Sequence, residues 1–285
     1  MVGRLVSGVT LFNFWAFPMS TSDPSSQSFT PSNSQPTGHH STMAIVLAAG
    51  KGTRMKTDLP KVLVPALGRP IITYVLDSLR QAGVGRITVV VGYRQELVRE
   101  ALANYADLDY AEQTEQLGTG HAVMCCRKTL EPHRGPVVIV AGDSPMLQPS
   151  SISKLLETAQ RDGMACLLGT LHSPDPTGLG RIVRSADGKF VGIVEEKDAT
   201  EQQRKITEVN MSTYVFDAGR LFEVLDAIDN RNRQQEYYLT DYPTKMLERN
   251  WPVDALPVLQ PIEALSINTM EQLAAVEAAM QQYSA

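Results

Sequence analysis

The sequence predicts an α/β protein built on a doubly wound, mainly parallel sheet with a small antiparallel insertion. Three observations carry that expectation. Short apolar runs alternate with amphipathic stretches from Ala44 to Leu171. One run, Pro136–Ala141, is apolar throughout instead of alternating, as expected of a central parallel strand covered on both faces. After Leu171 the rhythm changes to closely spaced strand-like runs, two of them joined by Ala186-Asp187-Gly188, a hairpin turn signal.

Each element follows from local pattern. Ala44–Ala49 is a short apolar strand ending at Gly50. Pro70–Ala82 sets Ile71, Val75, Leu76 and Leu79 on one helical face and stops at Gly83. Arg86–Val91 is a β-branched strand, Glu96–Tyr105 a second helix and Leu108–Glu112 a short strand. Thr119–Leu130 reads as one helix, Ser150–Arg161 as the next, and Met164–Leu171 as a strand. Gly178–Arg184, Lys189–Glu195 and Val209–Phe216 read as an inserted antiparallel element covering one side of the sheet, with a helix from Asp217. Leu239–Asn250 is helical, Pro252–Val258 extended and Thr269–Gln282 a final helix.

Composition bounds the function. With 285 residues, 43% hydrophobic and a formal charge of −5, the chain can bury a substantial core. It lacks the clustered basic surplus of a nucleic-acid binder. No apolar run reaches the length of a membrane span, so no membrane partner is expected. Three cysteines, Cys125, Cys126 and Cys166, make no disulfide framework and point to a reducing cytoplasm. From Pro18 to Thr42 the chain is mostly Ser, Thr, Pro, Asn and Gln. Residues 1–42 are therefore read as a disordered or non-native extension, and 43–285 as one catalytic domain.

The strongest motif is Leu47-Ala48-Ala49-Gly50-Lys51-Gly52-Thr53-Arg54-Met55, followed by Leu59-Pro60-Lys61-Val62-Leu63. A strand feeds a tight loop whose glycines allow backbone to approach a polyphosphate, with amides to cradle its oxygens. Arg54 adds a planar fork for phosphate and Lys61 a point charge. Neither the P-loop ending nor the third glycine of the dinucleotide fingerprint is present. Further along, Gln113-Thr114-Glu115-Gln116-Leu117-Gly118-Thr119-Gly120-His121 opens a helix. Thr119 is a good N-cap, and the amides after Gly118 can meet an anion or a carbonyl. Gln113 offers one donor and one acceptor to a pyrimidine edge, or is simply solvated. His121 reads as a side chain packed at the helix start. Asp143 ends the most apolar strand, where it can ligate Mg²⁺ held on phosphates or cap the turn into Ser144-Pro145.

These blocks resemble the sugar-phosphate nucleotidyltransferases, and among them the uridyltransferase half of the bifunctional bacterial enzyme that makes UDP-N-acetylglucosamine. The resemblance runs from Ala44 to the last helix and implies a Rossmann-like nucleotidyltransferase sheet. It implies a nucleotide site at Leu47, Ala48, Ala49, Gly50, Gly52, Lys61, Gln113, Gly118 and Thr119, with Arg54 and Lys61 catalytic. It implies a sugar-phosphate site at Gly180, Glu195 and Asn210, and Mg²⁺ on Asp143 and Asn268. Asn268 also reads as the cap of a capping box with Glu271. The block Glu236-Tyr237-Tyr238-Leu239-Thr240-Asp241 matches as well, as either site or aromatic packing under a helix start. Ala141 stands where relatives often carry a larger residue, and Met211-Ser212 where they have Thr-Gly or Ala-Gly. No hexapeptide repeat follows, so acetyltransferase activity is not expected.

The implied reaction transfers UMP from UTP to N-acetylglucosamine-1-phosphate, within cytoplasmic UDP-N-acetylglucosamine biosynthesis for the cell envelope. The acceptor phosphate, with a second pKa near ~6, is its own nucleophile, so no general base is needed. Alternatives are a uridylyl- or thymidylyltransferase for another hexose-1-phosphate, and a non-catalytic nucleotide-sugar-binding regulator.

Overall fold

The computed structural model describes residues 41–52, 55, 57–267 and 269–283. The proposed extension up to residue 40, together with Arg54 and Asn268, lies outside the described residues.

Along the chain, β1 is Met43–Leu47, and a small hairpin of β2 (Pro65–Ala66) and β3 (Arg69–Pro70) leads into α1 (Ile71–Gln81). Next come β4 (Arg86–Val91), α2 (Gln95–Ala101), β5 (Leu108–Glu112), α3 (Thr119–Met124), α4 (Arg127–Leu130), β6 (Pro136–Ala141), α5 (Pro149–Arg161) and β7 (Cys166–His172). The remainder is β8 (Gly180–Arg184), β9 (Phe190–Val194), β10 (Glu208–Asp217), α6 (Ala218–Val224), α7 (Asp241–Leu247), β11 (Val253–Leu256) and α8 (Met270–Tyr283). The main sheet runs β11-β7-β10-β6-β1-β4-β5, with β8 paired to β10 and β9 to β8.

The parallel part is as expected: β1 pairs in parallel with both β4 and β6, and β4 with β5. Alternate residues of β1 and β6 enter different cores. Met43, Ile45, Val137 and Ile139 pack with α3, α6 and α7, including Val123, Leu221 and Tyr242. Ala44, Val46, Val138 and Val140 pack with α1 and α5, including Leu76, Leu79 and Leu155. Covering on both faces is why Pro136–Ala141 shows no alternation.

Two expectations are corrected. β10 is not part of an element laid over the sheet. It is an interior strand, antiparallel to β6 on one side and to β7 on the other. β6 is therefore parallel to only one of its neighbours. Only β8 and β9 form the projecting antiparallel pair, and β8 is hydrogen-bonded to the first half of β10. The stretch 119–130 is two short helices broken at Cys125-Cys126, because the Cys126 amide bonds Val123 while its carbonyl starts a new turn to Leu130.

Glu263 is a buried carboxylate on the short 3₁₀ turn Pro261–Ala264. It accepts the amides of Gln148 (3.0 Å) and Gln260 (2.8 Å) and the Ser151 hydroxyl (2.7 Å). This ties the start of α5 to the segment leading into α8. Burial raises its pKa, and these donors oppose the rise.

Candidate active site

β1 and β6 are adjacent, and the chain proceeds from β1 to β4 toward one edge of the sheet and from β6 to β7 toward the other, so a crevice opens beyond their carboxyl ends. A cavity of about 420 Å³ occupies it. Leu47, Ala48, Ala49, Gly50 and Gly52 line it from the loop after β1, with Lys61 from the 3₁₀ turn Lys61–Leu63. Gln113, Gly118 and Thr119 line it from beyond β5, and Asp143 from beyond β6. Ten of the sequence-derived site residues thus converge on one cavity. Because β10 runs opposite to β6, its early residues reach the same end of the sheet, and Ser212 joins the lining.

The two glycines of the loop differ. A Cβ on Gly50 would meet nothing within 4 Å, which leaves room for a ligand. At Gly52, φ is +64° and a Cβ would sit 2.5 Å from the Lys61 Cβ. Gly52 therefore lets the loop pack directly on the Lys61 stem. The Lys61 Nζ forms an ion pair with Asp143 Oδ2, the two side chains being 14% and 22% exposed. Asp143 meets this ammonium rather than the turn toward Ser144. The Ile267 amide reaches the Asp143 carbonyl at 3.5 Å, so the chain just before position 268 runs beside the end of β6.

Gln113 is buried and its amide is oriented by the protein. Its Nε2 donates to the Gly118 carbonyl at 2.9 Å and lies 3.2 Å from Nδ1 of His121. A carbonyl neighbour requires the NH₂ end of the amide there. With both amide protons engaged, Oε1 is the end left for a ligand. His121 keeps the packing role expected of it, stationed beside Gln113 and near the Tyr237 ring.

Thr119 is not the helix cap. Gly118 takes that position with φ +110° and ψ 175°, and the Thr119 hydroxyl accepts the Leu239 amide at 3.0 Å. The Tyr237 amide donates to the Leu117 carbonyl (2.8 Å), and the Gly120 amide to the Tyr237 carbonyl (2.7 Å). The segment 237–239 is thus laced to the turn at 117–120, and the Gly120 amide is not available to an anion. This is the role of the Glu236–Asp241 block, and it also brings Glu236 to the cavity wall. Thr119→Val should cost about 1–2 kcal/mol in a urea melt by orphaning the Leu239 amide, with Thr119→Ser restoring most of it.

Gly180, Glu195 and Asn210 do not line this cavity. Gly180 and Asn210 are paired across β8 and β10, and Asn210 Oδ1 accepts the Ser212 amide at 3.1 Å. That bond spans a bulge between Asn210 and Thr213, with Ser212 at φ +53°. Glu195 lines a second cavity of about 410 Å³ with Asp198, Tyr238, Thr240 and Asp241. Its Oε1 accepts the Thr240 hydroxyl at 3.0 Å. Burial pushes the Glu195 carboxyl up, the Thr240 bond opposes this, and Asp198 and Glu236 add to the rise. Asp241 is pushed up to about 6 by burial, with Asp229 and Glu195 contributing. A raised carboxyl favours the native state when protonated, so its contribution is complete below its ordinary value and lost as pH rises through about 6. Asp241→Asn should therefore gain stability over the parent as pH goes from acid to neutral, read from urea midpoints across that range.

Sequence reasoning missed Gln116, whose Nε2 donates to the Gln113 carbonyl at 3.1 Å and which lines the cavity. The signal was present, three residues after Gln113 within the same block. The helix-capping alternative for Asn268 lies outside the described residues; at the start of α8 the Thr269 hydroxyl accepts the Gln272 amide at 3.3 Å. Among the described residues no cluster of three or more His, Cys, Asp or Glu side chains could hold a metal ion, and no helix is long and apolar enough to cross a membrane.

Comparison with known proteins fits this geometry. The bifunctional protein GlmU of Heliobacterium modesticaldum is 46% identical over 242 residues, which cover 85% of this chain and 52% of that protein. GlmU of Geotalea daltonii is 43% identical over 231 residues, covering 81% and 50%. The chain thus spans about half the length of these curated relatives. A crystal structure of UDP-glucose pyrophosphorylase complexed with UDP-glucose superposes with a TM-score of 0.69 at 16% identity, over 85% of this chain and 99% of that one. It shares the fold. The model of the MobA-like NTP transferase domain matches residues 44–205, which takes in the glycine loop, Lys61, the Gln113 turn and Asp143; the chain belongs to that family.

Proposed function

We propose that the chain transfers UMP from UTP to N-acetylglucosamine-1-phosphate, giving UDP-N-acetylglucosamine and pyrophosphate. The observation that carries this reading is the meeting of Lys61 and Asp143 at the wall of the glycine-loop cavity, opposite an oriented Gln113. The acceptor identity rests on the sequence resemblance and on the GlmU relatives.

The base is read by polarity. Gln113 Oε1 is an acceptor, so it suits the N3–H of uracil and opposes the bare N3 of cytosine. The open face of Gly50 leaves the phosphates room to lie against the loop amides. Lys61 would neutralise the α-phosphate and the incoming acceptor phosphate, holding them in line. Arg54, in the same motif, would meet the leaving pyrophosphate. Gly180, Glu195 and Asn210 would receive the sugar, with Glu195 accepting from hydroxyls and the Asn210 amide donating.

The donor set suits Mg²⁺, which commonly takes one or two protein carboxylates and keeps substrate phosphates and waters as its remaining ligands. Asp143 supplies a hard oxygen at the cavity, and Asn268 is the second ligand proposed. Bound there, the ion would supply charge neutralisation between the two substrates' phosphates. Lys61 now holds Asp143, and exchanging that partner for the ion would turn the ammonium toward phosphate.

The test is pyrophosphate release with UTP or CTP against a panel of hexose-1-phosphates, with and without Mg²⁺. Turnover with UTP and N-acetylglucosamine-1-phosphate, lost on chelation, is the expected result. Turnover confined to a non-acetylated hexose would sink the acceptor assignment, and equal use of CTP would sink the reading of Gln113.

A further inference from the structure

Among the described residues, Arg181 is the most deeply buried charged side chain outside the cavity, 2% exposed, on β8 directly after Gly180. Its partners are specific. Nη1 donates to the Leu179 carbonyl, and Nη2 donates to Glu196 Oε2 at 2.6 Å and lies 3.5 Å from the Arg204 carbonyl. Glu196 Oε2 in turn accepts the Gly178 amide at 3.3 Å. Glu196 Oε1 faces Arg204 Nε at 3.5 Å. In the sheet, Arg181 stands opposite Val194 of β9 and Val209 of β10.

These contacts bracket the acceptor residues. Leu179 precedes Gly180, Glu196 follows Glu195, and Val209 precedes Asn210. One guanidinium thus fixes the loop Gly178-Leu179 from the carbonyl side, while its carboxylate partner fixes the same loop from the amide side. Gly178 has φ +80°, so the loop cannot hold this course by side-chain packing at that residue. A planar fork can serve the Leu179 carbonyl and Glu196 at once, whereas a lysine ammonium lacks that shape.

We propose that Arg181 and Glu196 are positioning residues for the acceptor site: their ion pair holds the 178–180 loop and Glu195 in mutual register without touching the substrate. This rests on the reading of Gly180, Glu195 and Asn210 as the sugar-phosphate site.

The experiment compares the parent with Glu196→Ala, Glu196→Gln and Arg181→Lys in two assays: steady-state pyrophosphate release and amide hydrogen exchange of the free protein. Glu196 is 28% exposed, so its variants keep the test available if the Arg181 variant fails to fold. For Glu196→Ala the acceptor KM should rise about 10-fold or more, with the UTP KM and kcat within about threefold. Gly178 exchange should rise about 10-fold while β6 amides are unchanged. Glu196→Gln, which keeps an acceptor oxygen for Gly178, should recover most of both effects. A general loss of packing would instead raise exchange across the sheet and move both KM values. An unchanged acceptor KM in a folded Glu196→Ala protein overturns the proposal. If the parent does not turn over any sugar-1-phosphate, the functional reading falls, and the positioning pair is then judged by Gly178 exchange alone. Unchanged exchange there overturns it as well.

Discussion

Lys61→Ala is expected to lower turnover about 10²–10³-fold, the range seen when one preorganised charge or donor is taken from a transition state. The fold should survive. The pair with Asp143 borders the cavity, and alanine keeps the Cβ against which Gly52 packs. Asp143→Asn keeps the shape of the partner and should show a comparable loss, because it takes away the one proposed carboxylate ligand, whose charge both Mg²⁺ and Lys61 would face. Both side chains would serve one arrangement of phosphates, so the double variant should be far less impaired than the product of the two losses. Single-turnover and steady-state pyrophosphate release check these values, with thermal melts to confirm folding. If Asp143→Asn keeps turnover within about threefold, the pair does not organise the phosphates.

Gly118→Ala should produce the largest loss of stability among the loop variants. At φ +110° and ψ 175° the backbone lies in a region that only glycine visits freely, at a cost of about 1–3 kcal/mol for other residues. A Cβ would also fall 2.5 Å from the Tyr237 carbonyl oxygen and 2.9 Å from the Glu236 Cβ. The lacing between 117–120 and 237–239 would have to part to make room. Together these should lower the melting temperature by roughly 6–12 °C, taking about 3 kcal/mol and the response of a domain of this size. The UTP KM should rise with it, since Gly118 supplies the carbonyl that orients Gln113. Gly50→Ala is the control. With open space around its Cβ direction, it should melt close to the parent and show its defect in UTP binding only.

The elements were legible wherever burial on both faces or helical spacing made a local signal. Pro136–Ala141 and Leu108–Glu112 begin and end where the pattern places them. The loop motif after β1 pointed to its cavity less through its glycines, which any tight strand-to-helix turn can carry, than through Arg54 and Pro60-Lys61 following at fixed offsets. What stayed hidden depends on partners distant in sequence. Val209–Phe216 reads as a strand, but nothing in its alternation says that it lies between β6 and β7. Thr119 looks like a cap because Thr often is one. Its hydroxyl is claimed by an amide 120 residues further on, and a glycine takes the cap instead. The separation of Glu195 from the first cavity was equally illegible, since it follows from how β8 and β9 project from β10.

The place of β10 has a consequence for how the chain acquires its structure. Until residues 208–217 are available, β6 and β7 present two unpaired edges to one another across an empty slot. The family match ends at residue 205, just short of that strand. A fragment closing there would hold the glycine loop, Lys61, Gln113 and Asp143, yet leave one edge of β6 and both edges of β7 unpaired, because β11 is missing as well. Such edges invite pairing between molecules. That fragment is expected to aggregate rather than form a smaller working enzyme, which light scattering after refolding would show. β10 thus acts as a keystone: the last piece delivered to the middle of the sheet makes folding all-or-none.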